Sequence, residues 1–211
     1  PPSSTLFPYT TLFRSASKAQ SGDLAVLYYV IGSAQMYLGH VEDASESYEK
    51  SFEQYLNSIS KKDTNGSRIP SAITGINNIT VACLNTQHYK EGKKWNDRTD
   101  SLLYVYRLRP DADSEVCDHY RARIRLFNAL TAYEFGHRAA ADASFAAFQK
   151  TDYAATEQGK LDANDYLMKA HRFEEAAKNF RTLDHWVDVR GMKMNLDNIS
   201  MYLIPLADRK S

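Results

Sequence analysis

Apolar side chains recur every three or four residues along this chain, and this spacing strongly restricts how it can fold. One set consists of Leu27, Ile31, Ala34 and Leu38, a second of Ala44, Tyr48 and Phe52, and a third of Phe127, Leu130 and Tyr133. Residues spaced in this way lie on one face of an α-helix. Between residues 16 and 211, proline occurs only at positions 70, 110 and 205, so long helices are permitted. The sequence therefore predicts an all-α fold.

The charge balance argues against two broad classes of protein. The 211 residues carry 26 Lys and Arg against 26 Asp and Glu, so the formal net charge is zero. Proteins that bind nucleic acids or anionic membranes through general charge attraction carry an excess of basic residues. No stretch approaches the roughly 18 apolar residues of a transmembrane helix. We therefore expect neither a nucleic-acid contact nor a membrane segment within this sequence.

The first residues have an unusual origin. Residues 5–15 read TLFPYTTLFRS, which is the gapless translation of a widely used sequencing adapter. We therefore predict that residues 1–15 are a non-native, disordered tail and that a helical array occupies residues 16–211. The alternative is a native disordered tail rich in proline, serine and threonine. We also expect the natural protein to begin elsewhere and to continue beyond residue 211.

Segment 25–52 carries the small and large residues that two closely crossing helices need. The small residues are Gly32, Gly39 and Ala44, and the large ones are Tyr28, Ile31, Tyr48 and Phe52. Small residues let antiparallel helices approach, and large ones fill the gaps between them. Glycine at position 39 permits the left-handed conformation that closes a helix. The segment resembles the tetratricopeptide repeat (TPR), a pair of antiparallel helices.

Three later segments carry parts of the same pattern, with aligned turn positions at Gly39, Gln87, Gly136 and His171. These positions lie 48, 49 and 35 residues apart, so only the last interval matches the TPR period of about 34. The resemblance implies a right-handed TPR-like α-solenoid of about four antiparallel helix pairs plus a terminal helix. The predicted repeats are 25–61, 70–107, 113–150 and 154–184, followed by a helix at 192–208. The alternative is another helical solenoid or bundle.

The sequence contains no catalytic motif, so we expect neither an enzyme active site nor a cofactor in this region. The acids that follow Pro110 are predicted to cap a helix. Histidines stand at the predicted turns, at positions 40, 88, 137 and 171. Equivalent turns of neighbouring repeats lie on the order of 10 Å apart, too far to share a metal ion. We interpret them as solvated polar turn residues, with a pH-responsive edge as the alternative.

The resemblance also implies a binding surface, because TPR arrays present first-helix residues on a concave face. Val26 and Thr74 map to this face. The predicted partner-binding residues on it are Tyr29, Met36, Tyr37, Asn77, Asn85, Arg123, Tyr133 and Asp165. Aromatic, Met and amide side chains of this kind suit a protein or peptide partner. The alternative is that several of them are core residues of a tightly wound solenoid.

Two segments resemble a more specific group, the TPR sensor region of Bacteroidetes-type histidine kinases. They are the third repeat, AYEFGHRAAADASFAAFQKTDYA, and the ending NLDNISMYLIPLADRKS. In that family the array precedes a transmembrane helix, a phosphoacceptor helix and an ATP-binding domain. The resemblance implies that this chain is the non-catalytic sensing or docking part of such a kinase, on the periplasmic side of the membrane. The alternatives are a stand-alone cytoplasmic TPR adaptor and the TPR part of a DNA-binding regulator whose DNA contacts lie elsewhere.

Overall fold

A computed structural model of the chain describes residues 21–62 and 68–181. These residues contain nine helices and no strand, which confirms the predicted all-α class. The helices are α1 (Ser21–Tyr37), α2 (Val41–Lys62), α3 (Arg68–Asn85), α4 (Tyr89–Arg107), α5 (Ser114–Glu134), α6 (Arg138–Gln149), α7 (Asp152–Ala155), α8 (Glu157–Lys169) and α9 (Phe173–Arg181). The predicted tail at 1–15 and the predicted terminal helix at 192–208 lie outside the described residues.

The chain divides into two compact units, Pro1–Cys117 and Asp118–Ser211. In unit 1, α1 packs on α2, α3 packs on α4, and α3 also contacts both α1 and α2. In unit 2, α8 packs on α9, and the short helix α7 lies against α8. None of the helices within the described ranges is long and apolar enough to cross a membrane.

Four of the turns between helices share one backbone geometry. The turn residue has a positive φ at Gly39 (82°), Gln87 (64°), Gly136 (79°) and His171 (58°). At each turn, the N–H of this residue donates to the carbonyl three residues earlier, and the next N–H donates to the carbonyl five residues before it. This is the Schellman arrangement that closes an α-helix. The structure therefore confirms all four turn positions that the sequence alignment predicted.

Replacing Gln87 with glycine is expected to raise the free energy of unfolding by about 0.5–1 kcal/mol, because glycine has no Cβ to oppose a positive φ. The side chain of Gln87 is exposed, so little packing is lost. Urea unfolding measures the change. Gly39→Ala is the reverse control and is expected to lower stability, and a loss of stability in Gln87→Gly would contradict the prediction.

Helices α5 and α7 each start with a side-chain cap. Asp113 precedes α5, and its Oδ1 accepts hydrogen bonds from the backbone N–H groups of Glu115 (2.8 Å) and Val116 (3.2 Å). The predicted capping role is therefore confirmed for Asp113, whereas Asp111 accepts hydrogen bonds from Arg109. Helix α7 was not predicted from the sequence; its start is capped by Thr151 and its end leads directly into α8.

Two large aromatic side chains, Tyr48 and Trp95, form part of the mainly aliphatic interior of unit 1. Trp95 of α4 is completely buried and meets the ring of Tyr48 edge-on at a centroid distance of 6.0 Å. In addition to this contact, the carboxylate of Glu49 on α2 forms ion pairs with Lys94 (2.8 Å) and Arg98 (2.6 Å) of α4. Burial would raise the pKa of Glu49, but the hydrogen bonds from Arg98 and Lys94 hold that pKa below its usual value. The pair α2 and α4 is thus joined by both apolar and ionic contacts.

Unit 2 has its own aromatic interior. Phe145 of α6 stacks on Tyr166 of α8 with a centroid distance of 4.4 Å. The Tyr166 hydroxyl donates to Asp142 of α6 at 2.8 Å, so the buried phenol has an acceptor. Burial is the main reason that the pKa of Tyr166 is raised. The interior of this unit therefore includes a satisfied polar contact between two of its helices.

Candidate functional site

Unit 1 contains a groove of about 590 Å³ bounded by α1, α2 and α3, which we call the α1–α3 groove. The described residues that line it come from all three helices. They include Asp23, Val26 and Tyr29 of α1, Tyr55 and Ser58 of α2, and Arg68, Ser71, Thr74, Gly75 and Asn78 of α3. A volume of this size lies within the range of natural ligand sites.

Close packing of Tyr55 on Gly75 forms one wall of the groove. A Cβ atom added at Gly75 would lie 2.3 Å from the Tyr55 hydroxyl, so no larger residue fits without movement. Tyr55 is itself buried, and burial raises the pKa of its phenol. The hydroxyl therefore stays protonated near neutral pH and is able to act as a hydrogen-bond donor.

The remaining wall residues combine apolar and polar groups. Val26 is 51% exposed, which is high for a valine and provides apolar surface beside Tyr29. The Arg68 guanidinium donates to the Ser58 carbonyl at 3.2 Å, which fixes its position near the end of α2. Apolar surface with a few fixed polar groups is the composition expected of a site for a peptide segment.

Tyr29 is the predicted binding residue that lines this groove, and its ring stacks on Tyr48 at a centroid distance of 6.5 Å. Two of the other predicted residues are corrected by the structure. Met36 is 1% exposed and Asn77 is 2% exposed, so neither offers an accessible contact. The first helices of the two pairs in unit 1, α1 and α3, contact each other. Side chains on the faces that meet a neighbouring helix are therefore buried in the core. Tyr37 and Asn85 are exposed near the ends of α1 and α3, outside the groove.

The three predicted residues of unit 2 differ in environment. Tyr133 is half-buried, with its ring edge-on to Tyr166 at 5.9 Å and the guanidinium of Arg138 3.3 Å from its centroid. Asp165 is exposed. Arg123 is half-buried, and its guanidinium lies 5.5 Å from the ring centroid of Phe127.

The turn histidines do not come together as a metal site. Across the part of the chain that the structure describes, no group of three or more His, Cys, Asp or Glu side chains is placed to hold a metal ion. His40 lies 3.8 Å from Asp43, and the Nδ1 of His88 lies 3.0 Å from the hydroxyl of Thr86. His40 and His88 thus each have a local polar contact.

Sequence reasoning missed a polar cluster on α5, α7 and α8 of unit 2. Its centre is His119, whose ring meets Tyr153 edge-on at 4.7 Å. The Tyr153 hydroxyl donates to Asp162 at 2.8 Å, and Gln158 donates to the other carboxylate oxygen at 2.8 Å. Burial, and then the charge of Arg123, lower the pKa of His119, while Asp162 opposes the shift. No signal in the sequence distinguished His119, because it does not belong to the row of turn histidines.

The lowered pKa of His119 predicts a pH dependence of stability. Because the unfolded chain binds the imidazole proton more readily than the folded chain does, stability falls as the pH drops below about 6.5. In His119→Phe this contribution is removed, so the variant is expected to lose less stability than the wild type between pH 7.5 and pH 5.5. Urea unfolding at the two pH values measures the difference. Equal losses in both proteins would contradict the assignment.

Comparison with known proteins assigns no family: the chain matches no protein-family model, no curated protein and no solved structure.

Proposed function

We propose that this chain is a non-catalytic, TPR-like helical array that binds a peptide segment of a partner protein. The four identical turns support a repeated helix pair, since each closes a first helix and opens a second in the same way. The observation that carries the binding role is the α1–α3 groove. Two of its walls come from α1 and α3, the first helices of their pairs, as in the concave surface of TPR arrays.

The groove has the dimensions and chemistry for a short extended or helical segment. Val26 supplies exposed apolar surface, while Tyr29 and Thr74 line the same space from neighbouring helices. Burial of an apolar partner side chain against this surface would provide most of the affinity, and the hydroxyl and amide groups would fix its orientation.

We further propose that the array is the sensing or docking part of a signal-transduction histidine kinase. This rests on the resemblance of the third repeat and of the ending to that family. The alternatives are a stand-alone cytoplasmic TPR adaptor and the TPR part of a DNA-binding regulator. Reading the complete gene from the source DNA separates these proposals. A hydrophobic helix of about 20 residues followed by a kinase core supports the sensor, whereas an early stop codon without an export signal supports the adaptor.

A charge placed in the groove is expected to weaken peptide binding about tenfold or more, because it opposes the burial of an apolar anchor. The test selects peptides from a random display library on the purified chain and measures their affinity for Val26→Glu. The matched control is Val105→Glu, since Val105 of α4 is 55% exposed and does not line the groove. Selected peptides should bind the control and the wild type equally. Equal binding to Val26→Glu as well, or a failure to select any peptide, would refute the groove as the binding site.

A further inference from the structure

Arg123 differs from four other arginines of unit 2 in having no acceptor among the described residues. Arg125 donates to the Ala147 carbonyl (3.2 Å), and Arg138 donates to the Tyr133 carbonyl (3.1 Å). Arg121 and Arg172 each pair with a carboxylate of their own helix region. Arg123 makes no hydrogen bond and no ion pair to any described residue, and its Nε is both shielded from solvent and without a partner. A half-buried guanidinium without an acceptor is uncommon, because such groups are normally paired.

His119 lies one helical turn before Arg123, so the two side chains share a face of α5. Its ring is held between aromatic neighbours, with centroid distances of 4.9 Å to Tyr120 and 4.7 Å to Tyr153. Among the described residues, neither nitrogen of the His119 ring has a hydrogen-bond partner. Two polar side chains with unused donor capacity therefore stand together, beside aromatic rings that reduce their hydration.

The nearby carboxylate of Asp162 is already engaged. One oxygen accepts from the Tyr153 hydroxyl and the other from the Gln158 amide, each at 2.8 Å. Asp162 therefore leaves the guanidinium of Arg123 without a direct counter-charge. Its negative charge still acts at short range, so it disfavours a second group that carries more than one negative charge.

From this arrangement we propose that Arg123 and His119 form a binding site for a carboxylate, supplied by an acidic side chain of a partner protein. A carboxylate accepts two parallel hydrogen bonds from one guanidinium, which is the strongest pairing available to arginine. The imidazole N–H of His119 offers a third donor. A phosphate group is less suited, because its charge approaches −2 near neutral pH and Asp162 lies close by. The site belongs to unit 2 and does not depend on the α1–α3 groove.

The test uses two blocked peptides, acetyl-Ala-Glu-Ala-amide and acetyl-Ala-Gln-Ala-amide, with the full chain. Blocking both ends removes every carboxylate except that of the glutamate. Binding is followed by the NMR signal of the Arg123 Nε–H group. The glutamate peptide is expected to shift this signal in a saturable way and to bind about tenfold more tightly than the glutamine peptide. Equal affinities of the two peptides would overturn the proposal without the need for any variant.

Variants then assign the donors. Arg123→Gln is expected to abolish the preference for the glutamate peptide, and His119→Phe to weaken glutamate binding about threefold while keeping an aromatic ring in place. Here binding is followed by the signals of backbone N–H groups near the site. The matched control is Arg121→Gln on the same helix, which should bind as the wild type does. Retained preference in Arg123→Gln would overturn the proposal, as would tighter binding of inorganic phosphate than of the glutamate peptide. Far-UV circular dichroism verifies that each variant is folded.

Discussion

Replacing Trp95 with alanine is expected to lower the free energy of unfolding by about 3–5 kcal/mol. The indole is fully buried and meets the rings of Tyr48 and Phe52 edge-on, each at a centroid distance of 6.0 Å. The Arg98 guanidinium covers it at 4.4 Å from the ring centroid. Truncation removes the apolar area and these aromatic contacts, and it leaves a cavity between α2 and α4 that rigid helices cannot close.

Urea unfolding followed by circular dichroism measures this loss. Tyr104→Ala is the matched control, because Tyr104 is another large aromatic residue of α4 but is 62% exposed. Its replacement should change stability by no more than about 0.5 kcal/mol. If Trp95→Ala and Tyr104→Ala had similar effects, Trp95 would not be the centre of the unit 1 core.

The sequence was informative about local structure. The spacing of apolar residues predicted the helices. The turn positions were predicted from the pattern of small and large residues that recurs around each turn. Gln87 and His171 show how strong that pattern is, since neither is glycine and both adopt a positive φ. The periodic residues around each turn therefore predicted the turn even at the two positions where the expected glycine is absent.

The accessibility of individual side chains was harder to predict. Position within a repeat placed Met36 and Asn77 on a binding face, but contacts between helices distant in sequence buried both. The groove wall at Tyr55 and Gly75 was missed for the same reason, because it depends on how α2 meets α3. The surroundings of the His119 ring likewise depend on Tyr153, which contacts it and follows it by more than thirty residues. Local periodicity specifies a helix face, whereas tertiary packing decides whether that face is a core or a site.

Replacing Gly32 with valine is expected to lower the free energy of unfolding by about 2–3 kcal/mol through overpacking. A Cβ atom at this position would lie 2.6 Å from Cδ1 of Tyr48 and 3.2 Å from the carbonyl oxygen of Ala44. The Tyr48 ring is fully buried between Tyr29 and Trp95, so it has no free space into which to move. The better helix propensity of valine, worth a few tenths of a kcal/mol, is too small to offset this clash.

The control is Gly22→Val in the first turn of α1, because no atom lies within 4 Å of a Cβ built at Gly22. That variant should retain wild-type stability within about 0.5 kcal/mol. A double-mutant cycle identifies the cause of the Gly32 effect. In the background of Tyr48→Ala, which removes the ring, Gly32→Val should cost much less than it does alone, with a coupling energy of about 1–2 kcal/mol. Additive effects would mean that Gly32 is required by the backbone of α1 itself and not by the close approach of Tyr48.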